Sequence, residues 1–569
     1  INISFQEVTV NIIQEMKRKL AWALEEAAAS ARAAGEVAYD ELPTFVLEVP
    51  REKEHGDFAA NIAFVLARKA KKPPRELAEI LVRHLPLPIK GVARVEVAGP
   101  GFINFTLEET WALPVLPAVL AEDQYYGWSN IGQGQKVQVE FVSANPTGLL
   151  HMGNARGAAL GDVIANLLTA TGHEVTREFY INDAGNQIEN FGLSLEARYL
   201  QAFGIEAEVP EEGYHGRDLI DTVKRFIEQE GDRYLQADSL ERREALTRFA
   251  LQEKLSAIKK ALEDFGVYYD VWFSERSLHE SGAVNRVIED LKERGYIYEK
   301  DGALWFKSTA FGEEKDEVVV RQNGVPTYFA ADIAYHRNKF ERGFERVINI
   351  WGADHHGHVG RLKSALAALG YDPSRLQIVL MQLVRLFQGG EILRMSKRTG
   401  QYVTLEELLE EVGRDAARFF FVMLKPDSHL DFDLDLARSQ TTENPVYYVQ
   451  YAHARICSIL RLAKERGLSV PSPQEVDLNL LKHPAELELV KKIAEFPEVV
   501  AGAARALEPH WLTRYAQELA ALFHTFYTHC RVLADEETLR GPRLILVEAT
   551  RITLRNVLHL LGISAPERM

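Results

Sequence analysis

The chain has 569 residues, 46% of them hydrophobic and 26% charged; that length calls for more than one hydrophobic core, and that balance excludes a disordered or fibrous protein. Its 66 basic and 82 acidic residues leave a formal charge of −16. The excess argues against binding a polyanion by net attraction, yet screening confines charge to about 8–10 Å, so a local basic track survives the argument.

The opening segment lacks the basic start, apolar run and cleavage site of a secretory leader, and no later run is long enough to span a bilayer, so a cytoplasmic protein with no membrane association is expected. Residues 1–122 read as a small α+β domain: an initial helical pattern, the strand-like runs PTFVLEV, VARVEVAG and FINFTL, and a helix from Asp57 to Lys71. Arg68, Lys69, Lys71, Lys72 and Arg75 form a candidate basic track there, although a solvated helix end would look the same. A stretch rich in Gly, Asn and Gln at 123–135 marks a boundary.

From Lys136 short apolar strands alternate with amphipathic helices, which predicts a doubly wound parallel sheet over residues 123–400. The predicted elements are a strand VQVEFVS ending at Ser143, a helix from about Ala155 to Thr169, a strand in HEVTREFYIN and a helix after Asp183. A mostly helical stretch near 206–265 reads as an insertion. The alternation then resumes through YYDVWFSE, VPTYFAADIAYH, ERVINIWGAD and LQIVLMQLVRLF. After Gly400 no strand is expected: TLEELLEEVGRDAARFFFVML within a connecting segment, 401–440, reads as one amphipathic helix, and 441–569 as a helix bundle broken at Pro471, Pro473, Pro509 and Gly541-Pro542. Cys457 and Cys530, far apart and in helical patterns, point to free thiols and not to a disulfide framework or a Cys-based zinc site.

The segment VEFVSANPTGLLHMGNARGAALGD, residues 139–162, is the most informative. A strand runs through a Pro-Thr-Gly turn into a helix whose mouth carries His151 and whose first turns hold Gly153, Ala155, Gly157, Ala158 and Ala159. Small residues let a ligand approach the backbone, and the helix N-terminus offers unpaired N–H groups and a positive dipole end to phosphate. The spacing is not that of a P-loop, and Gly132-x-Gly134 precedes its strand, so no dinucleotide fingerprint is present.

This stretch resembles the HIGH signature of class I aminoacyl-tRNA synthetases, and ANPTG-x-LHxGxARGAxxGD is similar in particular to the arginyl branch of that class. Arg394-Met395-Ser396-Lys397-Arg398-Thr399-Gly400, after a strand and the Gly389-Gly390 turn, resembles the second class I signature, KMSKS. The resemblance implies a multidomain chain with a Rossmann-like catalytic core, an N-terminal domain contacting the tRNA elbow and an anticodon-binding helix bundle. The implied reaction is ATP-dependent activation of L-arginine, with Mg2+ on the ATP, and transfer to tRNA(Arg). Positioning and electrostatic stabilisation supply most of the rate in such phosphoryl chemistry. His151 and Lys397 are then the catalytic candidates, with Arg394 and Asn154 in support, and His151, Gly153, Asn154, Gly352, Met395, Ser396 and Lys397 would bind ATP. Asn154 stands where the signature has its second histidine, and Arg394 replaces the first lysine of KMSKS.

A guanidinium is read by paired acidic acceptors. Tyr328 and Asp332 are four residues apart, which puts them on one face if the segment becomes helical after Phe329. The resemblance places them with Glu140, Asn145 and His355 around the arginine. In Gly352-Ala353-Asp354-His355-His356-Gly357-His358 the three histidines cannot all face one ion on a rigid helix, so no structural metal is expected. The segments EVPREKEHGDFAANIAFVLARK and NPVYYVQYAHARI extend the resemblance to both ends, with Tyr447, Tyr448, Tyr451 and His453 containing candidate base-stacking groups, Tyr447 and Tyr451 foremost. A monomer is expected. Two rival readings stay open: an RNA-independent nucleotidyltransferase of the HxGH type, for which the helical third would be superfluous, and a catalytically silent tRNA-binding paralogue, which Asn154 invites.

Overall fold

The computed structural model describes residues 10–50, 52–393, 403–533 and 536–569. The N-terminal helix Ile12–Ala33 starts at Asn11, whose side chain accepts the Gln14 N–H, and buries Met16, Leu20, Leu24, Ala27 and Ala31 at helical spacing. They pack into one core with a four-stranded antiparallel sheet. The helix expected from Asp57 to Lys71 divides into a strand, Phe58–Ala60, and a helix, Ile62–Ala70. Phe58 and Ala60 pair with Phe105 and Ile103, so sheet pairing overrides the local helical preference of an alanine-rich run. In the basic track Lys69 bonds the Glu41 carbonyl, Lys72 pairs with Glu76, and Arg75 reaches the Gly99 carbonyl at 3.0 Å.

The central sheet has five strands, all parallel, in the spatial order Leu376–Met381, Arg346–Gly352, Lys136–Glu140, Glu174–Ile181, Val271–Ser274. Strand order reverses on either side of Lys136–Glu140, and ligands of such sheets bind beyond the carboxyl ends of the strands at that reversal. The first strand stops at Glu140, three residues before the expected end at Ser143, because Val142 and Ser143 turn into left-handed backbone (φ 72° and 43°). For a β-branched valine that conformation is costly, and it sits where the chain leaves the sheet for the signature helix.

Three further differences from expectation have identifiable causes. VPTYFAADIAYH, strand-like in sequence, begins the helix Tyr328–Glu341 after an N-cap at Thr327, and burial of Phe329, Ala330, Ala331, Ile333 and Ala334 erases the apolar stripe that would have betrayed a helix. The helix expected from Thr404 onward breaks at Gly413 (φ 78°) into Leu405–Val412 and Arg414–Val422. A strand does occur after Gly400: Leu430–Asp433 pairs in parallel with Val384–Gln388, itself hairpinned to Glu391–Ile392 through Gly389-Gly390. A short strand joined to a distant partner carries little local signal.

The helices from Pro445 onward share one continuous apolar core with the face of the sheet that carries the signature helix. The opposite face packs on the helix Tyr328–Glu341 and a three-stranded antiparallel sheet, 297–320, while the helical insertion has its own small core. Cys530 is buried and Cys457 half-buried, both as free thiols. Among the described residues no helix is long and apolar enough to cross a membrane.

Candidate active site

At the strand-order reversal lies an open cleft of about 980 Å³. Its wall includes the predicted Glu140, Asn145, His151, Asn154, Tyr328, Asp332, Gly352 and His355. Gly153 lies one residue inside the signature helix and its N–H is directed to His151. Arg394, Met395, Ser396 and Lys397 lie outside the described residues. The segment that follows them meets the turn carrying His151: Thr404 forms a β-bridge with His151, and the Leu405 N–H donates to the Leu150 carbonyl at 2.9 Å.

His151 is the N-cap of the helix Met152–Ala170. Its Nδ1 accepts the Gly153 N–H at 3.2 Å, so the neutral ring carries its proton on Nε2. The Asn154 Oδ1 reaches back to accept the His151 backbone N–H at 3.1 Å, completing a capping box. The residue that departs from the signature therefore fixes the turn that aims His151.

On the acidic side, Glu140 is buried at the strand end, with Oε2 2.5 Å from the Lys339 ammonium and Oε1 accepting from the Ser143 hydroxyl at 2.9 Å. Lys339 also donates to the Asn349 Oδ1 (2.9 Å), and Asn349 Nδ2 donates to His336 Nε2 (2.7 Å). The opposite His336 nitrogen, Nδ1, donates to the Asp332 carbonyl at 2.7 Å. Burial, with the Lys339 charge beside it, holds the His336 pKa well below the ordinary histidine range, as this neutral tautomer requires. The chain of bonds locks the rotation of the helix Tyr328–Glu341 against two neighbouring strands and so places Asp332 and Tyr328. Asp332 meets His358 Nε2 at 2.8 Å, and Asn145 donates to Gln187 Oε1 at 2.7 Å. Tyr328 lies over Gly185, where a Cβ would come within 3.4 Å of its ring.

His355 is 3.7 Å from Asp354 while His358 turns to Asp332. Among the described residues no three His, Cys, Asp or Glu side chains could hold a metal ion together.

Sequence reasoning missed Lys339, Glu275 and Gln187. Tyr328, Asp332, Tyr335, His336 and Lys339 recur at helical spacing, so a polar stripe was there to be read along one face. Glu275 left no such signal; it follows a short edge strand and reaches the cleft only in the fold. Burial pushes its carboxyl up to about 7, against the lowering effect of a hydrogen bond from Tyr180.

A carboxyl raised in this way has a signed consequence. Between pH 4.5 and about 7 the folded protein holds a proton that the unfolded chain has lost, so rising pH through that window removes stability. A cation bound beside Glu275 favours the ionised form, so affinity for a cationic ligand should strengthen as pH rises towards 7 and above. We expect Glu275→Gln to flatten that profile in calorimetric titrations; an unchanged profile would remove Glu275 from the ligand's surroundings.

Comparison with known proteins places this geometry in a class. The stretch 115–423 matches the description "tRNA synthetases class I (R), catalytic domain", 14–107 matches "Arginyl tRNA synthetase N terminal domain" and 449–569 matches "DALR anticodon binding domain". The chain is 77% identical over 560 residues to an arginine–tRNA ligase of Moorella thermoacetica, covering 98% of this chain and all of the relative. It is 63% identical over 566 residues to one from Heliobacterium modesticaldum, with 98% and 100% covered. The solved arginyl-tRNA synthetase of Thermus thermophilus superposes with a TM-score of 0.73 at 25% identity, covering 97% of this chain and 100% of the other. The chain belongs to the arginyl-tRNA synthetase family.

Proposed function

We propose that the protein joins L-arginine to tRNA(Arg) in two steps within this cleft. An oxygen of the arginine carboxylate attacks the α-phosphorus of ATP, the bond to the β-phosphate breaks, and pyrophosphate leaves from an arginyl adenylate. A ribose hydroxyl at the tRNA 3′ end then attacks the arginyl carbonyl and releases AMP. ATP enters as its magnesium complex, the metal being part of the substrate.

The observation that carries this reading is that one cleft holds a helix mouth suited to phosphate and, across from it, carboxylates suited to a guanidinium. His151 Nε2–H donates to a phosphate oxygen as charge builds on it, alongside the dipole of its helix. Lys397, with Arg394, Met395 and Ser396 of the same signature, supplies positive charge and donors to the triphosphate, and Gly352 gives the adenosine close access to the backbone. Asp332 and Glu275 share the guanidinium, Tyr328 and His355 border it, Asn145 with Gln187 holds the α-amino and carboxylate end, and Glu140 braces the floor through Lys339.

For the RNA, Tyr447 and Tyr451 stack with centroids 6.1 Å apart and planes 10° from parallel, His524 adjoins Tyr451, and Arg455 lies over the Tyr451 and Tyr527 rings. Such a face accepts unpaired bases. His453 is buried on the Pro566 carbonyl, which removes it from the candidate stacking groups.

The test is pyrophosphate exchange with each standard amino acid, with and without tRNA(Arg). Exchange with arginine supports the reading. Exchange with another small acid and no RNA would favour the nucleotidyltransferase, and tight RNA binding without exchange the silent paralogue. His151→Ala should lower kcat by about 10²-fold, the usual effect of removing one donor to a developing anion, while arginine affinity stays within about twofold. Equal activity of that variant would contradict the assignment.

A further inference from the structure

We infer that the segment 414–428 is a strut through which the helix bundle sets the position of the signature helix, with Arg418 and Arg156 as positioning residues for arginine activation. Both guanidinium groups are fully buried, and neither lines the cleft.

Arg418 joins three parts of the molecule. Its Nη2 donates to Asp162 Oδ2 at 2.5 Å, on the signature helix. Its Nε donates to the Leu561 carbonyl at 3.0 Å, where the last helix of the bundle ends. Its Nη1 reaches the carbonyls of Phe265 and Gly266 at 3.2 and 3.3 Å, where the long helix of the insertion ends. Helix ends present unpaired carbonyls and the negative pole of the macrodipole, and a planar five-donor cation satisfies two of them and a carboxylate at once. Asp162 has lesser partners in Arg177 and Asn166, both at 3.4 Å.

At the other end of the strut Arg156, from the first turns of the signature helix, donates to the carbonyls of Gln382 (2.8 Å), Ser428 (2.9 Å) and Lys425 (3.0 Å). The Lys425 ammonium in turn pairs with Glu508 of the bundle at 3.3 Å. Asp415, at the start of the strut, accepts from Gln450 Nε2 (2.8 Å) and the Ser564 N–H (3.2 Å), again from the bundle. The signature helix is thus held at two points along its length by a segment that the bundle itself holds.

A helix moves nearly as a rigid rod, so a shift at Asp162 or Arg156 is carried to His151 at its mouth. The arginine subsite hangs on different elements, the helix Tyr328–Glu341 and the strand ends. The bundle therefore acts on the phosphate side of the cleft and leaves the arginine side in place.

This rests on the reading of the cleft as the activation site, and wild-type protein without arginine-dependent exchange would overturn that reading first. Given wild-type exchange, the full-length variants Arg418→Lys, Asp162→Asn and Gly562→Ala test the strut. Gly562 belongs to the bundle's final turn (φ 68°), and a Cβ there would lie 2.2 Å from Arg418 Nη2, so alanine must displace the guanidinium from the bundle side. Each should lower kcat for exchange about tenfold or more, with KM for arginine within about twofold. Asp162→Asn combined with Gly562→Ala should fall short of the product of the single effects, because both act through one guanidinium. A lowered melting temperature with kcat unchanged, or KM for arginine rising in step with the loss, overturns the proposal. If Arg418→Lys fails to fold, the other two variants decide it by the same readouts.

Discussion

Lys339→Met is expected to destabilise the protein by about 3–5 kcal/mol and to abolish arginine activation, because it strips a buried carboxylate of its counter-ion. Lys339 has no exposed side-chain surface and sits 2.5 Å from Glu140. Burial lowers its pKa, and the neighbouring carboxylates Glu140 and Glu178 oppose that effect. With methionine in its place the Glu140 carboxylate keeps, among the described residues, the Ser143 hydroxyl as its hydrogen-bond donor, and Asn349 loses a donor. Denaturant unfolding measures the loss. Replacing Glu140 by glutamine in the same background should recover part of the stability, since the stranded charge is then gone. Lys339→Met alone unfolding at the wild-type midpoint would show that the pair contributes nothing.

Asp332→Asn should reduce kcat/KM for arginine by about tenfold to 10²-fold, the equivalent of one charge-assisted hydrogen bond of roughly 1.5–3 kcal/mol. The substitution keeps shape and volume but removes the charge proposed to face the guanidinium, leaving Glu275 as the proposed acidic partner. The loss should fall on arginine, with KM for ATP unchanged, because His151 belongs to a different element. Canavanine, whose guanidinium-like group is a weaker base, should be discriminated less by the variant than by the wild type. Unchanged arginine affinity in Asp332→Asn would show that the guanidinium lies elsewhere in the cleft.

Much of the site was legible from residue order. His151 with its small-residue helix was identifiable because a cap followed by tight turns is a local pattern, whereas Tyr328 and Asp332 were singled out by the family resemblance, their shared face depending on a helix that the segment's strand-like pattern did not announce. The structure brings these together with Glu140, Asn145 and His355 around one cavity. What stayed hidden depends on contacts between distant segments. Glu275 shares the cleft with Asp332 and Glu140 only because the Val271–Ser274 strand brings it to the sheet edge. Asn154 looked like a weakened catalytic residue, and its role as the partner in the capping box needed the backbone of His151 in place. The strand Leu430–Asp433 had no foreseeable partner until Val384–Gln388 lay beside it.

The sequence by itself determined the order of modules, the parallel character of the core and the two signatures, since hydrophobic period, turn chemistry and short motifs act over a few residues. Only the tertiary structure decided which buried charges meet. Lys339 with Glu140, Arg418 with Asp162 and Arg342 with Glu178 join residues 199, 256 and 164 positions apart. Pairing at such separations follows from how helices and sheet close on one another. A lone charged residue in an apolar run carries no sign of the partner that burial will require of it.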